Sequence, residues 1–398
     1  MKPVQAGLAR RLEAISVSPT LQVMMEAKAL RARGVDVIDF GPGEPDFDTP
    51  ENVKRAGQAA IVANQSHYTD TSGIVELRRV LAARYRERHG APWTESDVFT
   101  GCGGKNVLFL LAMALFEAGD RVAIFAPYWV SFPEQIRLCG AEPVVIRTRE
   151  EDGFVPRARE LEAHAGAIKA VILNSPCNPS GAVIPPDEVE RLAGFAERTG
   201  AFLISDETYD AFHYGPGRFA SFAEHADRLR DRLVLVNSLS KTYAMTGWRV
   251  GYAFGPKALL EAITKIQSHD ATHTSSISQA AAVEAIGGPQ DSVAAMREEY
   301  RRRRDELVAA LNGVRGVSCA LPRGAFYAFP NVTGAMRQLG CATSVELARR
   351  LMADRAVATV PGEAFGAPGY LRLSYALSLD RIRAGVDRLR TLFGVVQA

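Results

Sequence analysis

Between residues 98 and 255 the chain alternates short apolar runs with stretches of helical periodicity, and this alternation leaves few folds open. The runs fall at 121–125, 143–147, 170–173, 202–205, 233–236 and 250–254. They are rich in β-branched residues, and most are closed at once by Asn, Asp or Gly. Continuous apolar runs of strand length belong to strands buried on both faces. The intervening segments, such as 106–117 and 186–199, repeat at helical spacing. The expected core is therefore α/β, a mainly parallel doubly wound sheet with helices on both sides. In such sheets ligands gather at the carboxyl ends of the strands.

A chain of 398 residues exceeds what one hydrophobic core organises, so a second unit is expected. Residues 278–311 read as one long helix or two, interrupted around Gly287, Gly288 and Pro289. Beyond them, strand patterns at 325–330, 356–360 and 371–375 and helical patterns at 344–353 and 379–392 describe a smaller α+β unit. The first forty-odd residues show no sheet pattern of their own and are expected to join it. The expected division is 1–48 as an N-terminal arm and part of the small domain, 49–290 as the large domain, and 291–398 as the small domain with its interdomain helix.

Charge excludes several partners. The 47 basic and 45 acidic residues leave 47 − 45 = +2, too balanced for a polyanion or a charged membrane face. The run Arg301 to Arg304 is flanked by Glu298, Glu299, Asp305 and Glu306, which favours a solvated helix face over a nucleic-acid contact. No stretch approaches membrane-spanning length, and no apolar segment follows the basic residues of the N-terminus. Cys102, Cys139, Cys177, Cys319 and Cys341 are scattered, without a CxxC pair, which suits a reducing compartment. The expectation is a cytoplasmic protein acting on small molecules, with no nucleic acid and no membrane.

Chemistry-bearing residues stand where the strand patterns end. Asp206 closes the run at 202–205, and Tyr209 follows. Asn178 follows the run at 170–173, while Ser238, Ser240, Lys241 and Arg249 follow the run at 233–236. A nucleophilic lysine must lose its proton near neutrality, through desolvation, cationic neighbours or a Schiff base to an aldehyde cofactor. A pyridine ring acting as electron sink needs a carboxylate at its nitrogen. Asp206 is the candidate for that task, with Asn178 and Tyr209 as donors to a ring oxygen. Gly103, Gly104 and Lys105 open a helix expected to begin near Asn106, so their N–H groups would face an anion, with Ser238, Ser240 and Arg249 completing the cradle.

The segments NSPCNPSG (174–181), SDETY (205–209) and SLSKTYAMTGWRVG (238–251) resemble the class I aminotransferases of fold type I. The likeness runs from FGPGEPDF (40–47) to LRLS (371–374) and is nearest to the bacterial aspartate aminotransferase branch. It implies pyridoxal 5'-phosphate as cofactor, with Lys241 as the Schiff-base lysine and proton carrier. It pairs Asp206 with the pyridine nitrogen, Asn178 and Tyr209 with the ring oxygen, and stacks Trp129 on the ring. It places Ser238, Arg249, Gly104 and Lys105 around the phosphate, with Tyr68 reaching the phosphate of a neighbouring subunit in a homodimer. Arg372 would clamp the substrate α-carboxylate, with Gly43 and Asn178 beside it. A ping-pong exchange between an amino acid and a 2-oxo acid follows, and Lys105 favours aspartate or glutamate with 2-oxoglutarate.

Other readings stay open at this stage. β-elimination, racemisation or oxygen-dependent oxidation would use the same cofactor residues. Arg372 could face solvent in an alternating strand, and Trp129 could be ordinary core. The segment SHDATHTSS (268–276) departs from the family pattern, so His269, Asp270 and His273 could reshape the pocket. His269 and His273 stand at metal-like i, i+4 spacing but lack a third ligand, so no metal is expected. A ligand-sensing regulator would need a DNA-binding module that the segment before Phe40 is too short to hold. A nicotinamide enzyme would need a GxGxxG turn after an early strand.

Overall fold

The computed structural model describes residues 7–17 and 19–394. Strand β1 (Ile38–Asp39) comes first, followed by β2 (Val98–Gly101), β3 (Arg121–Ala126), β4 (Glu142–Arg147), β5 (Ala170–Asn174), β6 (Phe202–Asp206), β7 (Leu233–Ser238) and β8 (Gly251–Phe254). Strands β2 to β8 form one seven-stranded sheet in the order β2-β8-β7-β6-β5-β3-β4. Strands β3 to β7 are parallel, and β8 runs against both of its neighbours. The antiparallel β8 returns β2 to the direction of the parallel set. The carboxyl ends of β2, β3, β5, β6 and β7 therefore share one edge.

Alternate residues of these strands enter two different cores. Ala123, Phe125, Val171, Leu173, Leu203 and Leu235 pack on one side with the helices Val75–His89, Pro186–Thr199 and Ser276–Gly287. Val122, Ile124, Ile172, Ile204, Val234 and Val236 pack on the other with Gly104–Leu115, Ser131–Leu138 and Lys257–Gln267. Two apolar faces explain why these strands read as unbroken apolar runs. Strand β4 is the exception, because as an edge strand it buries Val144 and Ile146 and leaves Val145 exposed.

The remaining strands, β9 (Tyr327–Ala328), β10 (Val357–Ala358), β11 (Val360–Pro361) and β12 (Leu371–Ser374), build two small sheets. One has the order β11-β12-β9, and the other pairs β1 in parallel with β10. Both ends of the chain thus meet in one cluster, which holds Ile38, Phe40, Tyr300, Leu307, Phe326, Leu373, Ile382 and Val386. Helix Leu379–Phe393 presses close enough that a Cβ on Gly385 would sit 2.4 Å from the Phe40 ring. The segment before residue 40, expected to lack sheet structure, contributes β1. Strand β2 was absent from the expected strands, and the break at Gly287 to Pro289 separates Ser276–Gly287 from Asp291–Asn312. No helix among the described residues is long and apolar enough to cross a membrane.

The arginine run on Asp291–Asn312 corrects the expectation of a solvated face. Arg301 and Arg302 are exposed and pair with Glu298 and Glu299 on the same helix. Arg303 and Arg304 are each only 7% exposed. Arg303 bonds Asp46 and Glu299 at 2.8 Å and lies over the Phe47 ring, while Arg304 donates to the Pro322 carbonyl at 3.0 Å and covers Tyr214. Helical periodicity directs these two inward while their distant partners hold them. Arg303→Ala should lower unfolding free energy by about 1–3 kcal/mol, less than a fully buried pair because Asp46 keeps part of its exposure. Denaturant titration checks this, and Arg303→Lys should recover only part of the loss, since one ammonium cannot reproduce the guanidinium fork.

Candidate active site

The shared strand edge, the start of Gly104–Leu115 and the small sheet β11-β12-β9 enclose a cavity of about 340 Å³. Its lining includes Gly43, Gly104, Lys105, Trp129, Asn178, Asp206, Tyr209, Ser238, Ser240, Lys241, Arg249 and Arg372, which the sequence had dispersed over 330 positions of the chain (43 to 372).

Asn174, the last residue of β5, shapes the first wall. Its Nδ2 donates to the Asp206 carbonyl at 3.0 Å and its Oδ1 accepts from the Asn178 backbone N–H at 2.8 Å. These two bonds tie β5 to β6 and curl the following loop so that Asn178 reaches the cavity. Asp206 is buried, and its Oδ1 accepts from the Thr208 N–H at 3.1 Å. Burial pushes its carboxyl up from 3.8 to about 6, against the opposing pull of Thr208 and the Lys241 charge. The next carboxyl, Glu207, is pushed up by burial to about 8. It turns away to accept bonds from Ser205 and Ser221 and the Phe222 N–H, which anchors the end of β6.

After β7 the chain makes one short helix, Leu239–Thr242, and that turn presents Lys241. Thr49 fixes the segment that follows, donating to the Ala244 carbonyl at 2.7 Å and accepting from Trp248 Nε1 at 3.1 Å. Lys241 Nζ donates to the Gly43 carbonyl. Burial lowers its amine from 10.5 to about 8. Glu44 opposes the shift, and Arg249, Arg372 and Lys105 add to it. The amine is thus substantially unprotonated at mildly alkaline pH.

The glycine turn differs in detail from the sequence expectation. Helix Gly104–Leu115 starts two residues earlier than Asn106, and Gly103 is its N-cap at φ 88°. The Gly103 N–H donates to the Gly101 carbonyl at 2.7 Å, and Gly103 does not line the cavity. Gly103 therefore shapes the turn instead of offering a donor, and the Gly104 and Lys105 amides open the helix toward an anion. Space is the reason for glycine here. A Cβ at Gly103 would lie 2.5 Å from the Arg249 guanidinium, and one at Gly251 would lie 2.3 Å from the Gly103–Gly104 peptide. Arg249 donates to the Thr246 and Cys102 carbonyls at 2.9 and 3.1 Å, which holds its guanidinium at the cradle. Lys105 Nζ lies 5.2 Å from the Trp129 ring centroid, and burial followed by the Arg249 charge lowers its pKa.

Arg372 forms the opposite wall and is only 2% exposed, which removes the solvent-facing alternative. It donates to Asn178 Oδ1 at 3.0 Å and to the Gly41 carbonyl at 2.6 Å, and its Nε has no partner among the described residues. Trp129 lines the cavity and also packs edge-on against Phe132, so it belongs both to the site and to the adjoining core. Tyr327, Thr208 and Asn174 also line the cavity, and the sequence reading gave none of them a role. Asn174 and Thr208 lay inside the quoted motifs, whereas Tyr327 sits in an apolar strand pattern that carries no chemical signal.

Besides Gly103, four of the residues singled out from the sequence lie outside the cavity. Tyr68 is 87% exposed in the single chain, with its ring edge-on to His273. His269 and Asp270 are exposed, and Asp270 accepts from Asn106 Nδ2 at 3.2 Å. The His273 ring bonds the Thr274 carbonyl. The 268–276 segment therefore flanks the glycine turn from outside and does not reshape the cavity of its own chain. No group of three or more His, Cys, Asp or Glu side chains among the described residues converges as a metal site.

Comparison with known proteins is consistent along the chain. Residues 35–389 match the family described as aminotransferase class I and II. A probable aspartate/prephenate aminotransferase of Aquifex aeolicus is 40% identical over 97% of this chain and 98% of its own length. An aspartate aminotransferase of Geobacillus stearothermophilus is 38% identical over 96% and 98%. The structure of Thermus thermophilus aspartate aminotransferase with maleate superposes with a TM-score of 0.92 at 38% identity, covering 98% of this chain and 100% of that one.

The buried Asp206 carboxyl carries a pH signature. Because its folded value is raised from 3.8 to about 6, the folded state holds more protons than the unfolded chain between those values. Its contribution to stability is complete below the unfolded value and is lost as pH rises through the folded one. Asp206→Asn should therefore raise the stability of the cofactor-free protein by up to about 3 kcal/mol at neutral pH and leave it nearly unchanged at pH 4, as thermal melts at the two pH values would show.

Proposed function

The chain belongs to the aminotransferase class I and II family, and from that premise we propose that it binds pyridoxal 5'-phosphate at Lys241 and exchanges amino groups between aspartate, or a similar amino acid, and 2-oxoglutarate. The observation that carries the reading is the shared cavity. A lysine with a depressed pKa, a buried carboxylate, a glycine-turn helix start and a buried arginine all face it.

The residues suit the cofactor. Asp206 is a desolvated carboxylate, and a protonated ring nitrogen would offset the cost of its burial. The backbone packing of Gly251 on Gly103 and Gly104 leaves the helix start close to Ser238, Ser240 and Arg249, a donor set for a phosphate dianion. Asn178 and Tyr209 would hold the ring oxygen, and Trp129 would cover the ring. Bound there, the cofactor supplies an aldehyde that takes up the amino group and a ring that withdraws the electron pair left at the substrate α-carbon.

The protein's part is binding, orientation and proton movement. Arg372 receives the α-carboxylate beside Asn178 and Gly43, and its buried setting strengthens the pair. Lys241 Nζ takes the α-proton, a task that suits an amine with a value of about 8. Lys105 offers a positive charge to a second, distal carboxylate, which supports a dicarboxylic substrate. The division into 1–48, 49–290 and 291–398 is supported by the separate clustering of the small sheets with both chain ends. Exposed Ile61, Val62 and Tyr68 support a homodimer in which Tyr68 completes the neighbouring phosphate site. We assign the protein to the cytoplasm.

The half-reaction tests this reading. With aspartate alone, the aldehyde absorbance should give way to that of the amine form, with about one oxaloacetate released per subunit and no return until 2-oxoglutarate is added. Return of the aldehyde without an acceptor, or release of ammonia, would instead identify a lyase, racemase or oxidase. Success with another amino acid after aspartate and glutamate both fail would remove the dicarboxylate assignment alone. Arg372→Lys should raise KM for the amino acid about 10- to 100-fold in steady-state assays, because an ammonium cannot form the planar two-point pair.

A further inference from the structure

Tyr327 joins the two sides of the cavity. It is fully buried on β9, paired in register with Ser374 of β12. Side chains two residues apart on a strand share a face, so Arg372 projects from β12 on the side of Ser374. The Arg372 guanidinium lies 4.6 Å from the Tyr327 ring centroid. At the far end of that ring, Tyr327 Oη is 2.8 Å from Tyr209 Oη.

Two phenols at that distance share one proton, and each phenol has only one to give. The surroundings decide the donor. The Arg372 guanidinium opposes the effect of burial at both phenols, but it is the Tyr327 ring that it lies over. The Asp206 carboxylate acts on Tyr209 in the opposite sense and makes it the weaker acid. We infer that Tyr327 is a positioning residue that donates to Tyr209 Oη and so directs the Tyr209 proton into the cavity, toward the cofactor's ring oxygen. Asn178, the second donor proposed for that oxygen, already accepts from Arg372 Nη1 at its Oδ1. Both donors are therefore wired to the arginine that receives the substrate carboxylate, one through a hydrogen bond and one through Tyr327. Glycine at position 43 leaves room for this hydroxyl, since a Cβ there would lie 2.8 Å from Tyr327 Oη.

This inference rests on the cofactor reading and is separable from it. Tyr327→Phe keeps the ring beneath Arg372 and removes only the hydroxyl. Tyr209 then becomes a weaker donor, and the proton held between the ring oxygen and the Lys241 nitrogen is bound more tightly. In the reconstituted enzyme the midpoint of the visible absorbance titration should rise by about half a pH unit, and kcat should fall roughly threefold. In a Tyr209→Phe background the same change should add no further shift. A hydroxyl that only supported the fold would lower the melting temperature and leave the midpoint in place. An unmoved midpoint in Tyr327→Phe, or an equal shift in both backgrounds, overturns the inference while the cofactor reading stands. Failure of the wild-type protein to acquire any visible band with pyridoxal phosphate overturns both.

Discussion

Desolvation is the constraint from which the remaining features follow. Lys241, Asp206 and Arg372 bring full or potential charges into one cavity where water is largely replaced by protein. An unaccompanied charge in such a place is costly, so each group is either shifted in pKa or held by hydrogen bonds. Lys241 moves toward the neutral amine and Asp206 toward the neutral acid, while Arg372 stays charged and takes acceptors from Asn178 and Gly41. The site is thus poised before any ligand arrives.

The sheet makes this possible by concentrating strand ends. Six strands of one direction and the reversed β8 bring residues near 104, 129, 178, 206 and 241 to one edge, while two apolar cores hold the strands from either side. The small sheet β11-β12-β9 then brings Arg372 and Tyr327 across from that edge. Arg303 and Arg304 secure that arrangement from the helix Asp291–Asn312, bridging to Asp46 near the start of the chain and to Pro322 just before β9.

Much of this was legible in the sequence, for reasons that vary by residue. Strands β3 and β5 to β7 were readable because burial on both faces forces unbroken apolar runs, and polar residues closing such runs mark the ligand edge. Lys241, Asp206, Asn178 and Arg249 could be found because their spacing forms recognisable motifs. Strand β2 has only four residues and ends in glycine, too short a run to stand out. Gly103 was grouped with its neighbours because sequence does not tell which of three consecutive amides is already bonded. Arg303 and Arg304 looked solvated because nearby acidic residues offered local partners, while the partners that hold them inward, Asp46 and the Pro322 carbonyl, lie elsewhere along the chain. Tyr327 gave no signal, since a tyrosine in an apolar strand is ordinary until its hydroxyl is seen to meet another.

The parallel pairing of β1 with β10 has a consequence for biosynthesis. Arg372 sits on the last strand, and the small sheets around it draw on residues 38–39 near the start of the chain and on residues between 327 and 374 near its end. During translation the edge that carries Lys241 is made before the C-terminal strands, so the two walls of the cavity are synthesised at different times. The cavity is therefore complete only after β9 and β12 have been made and have docked across from that edge.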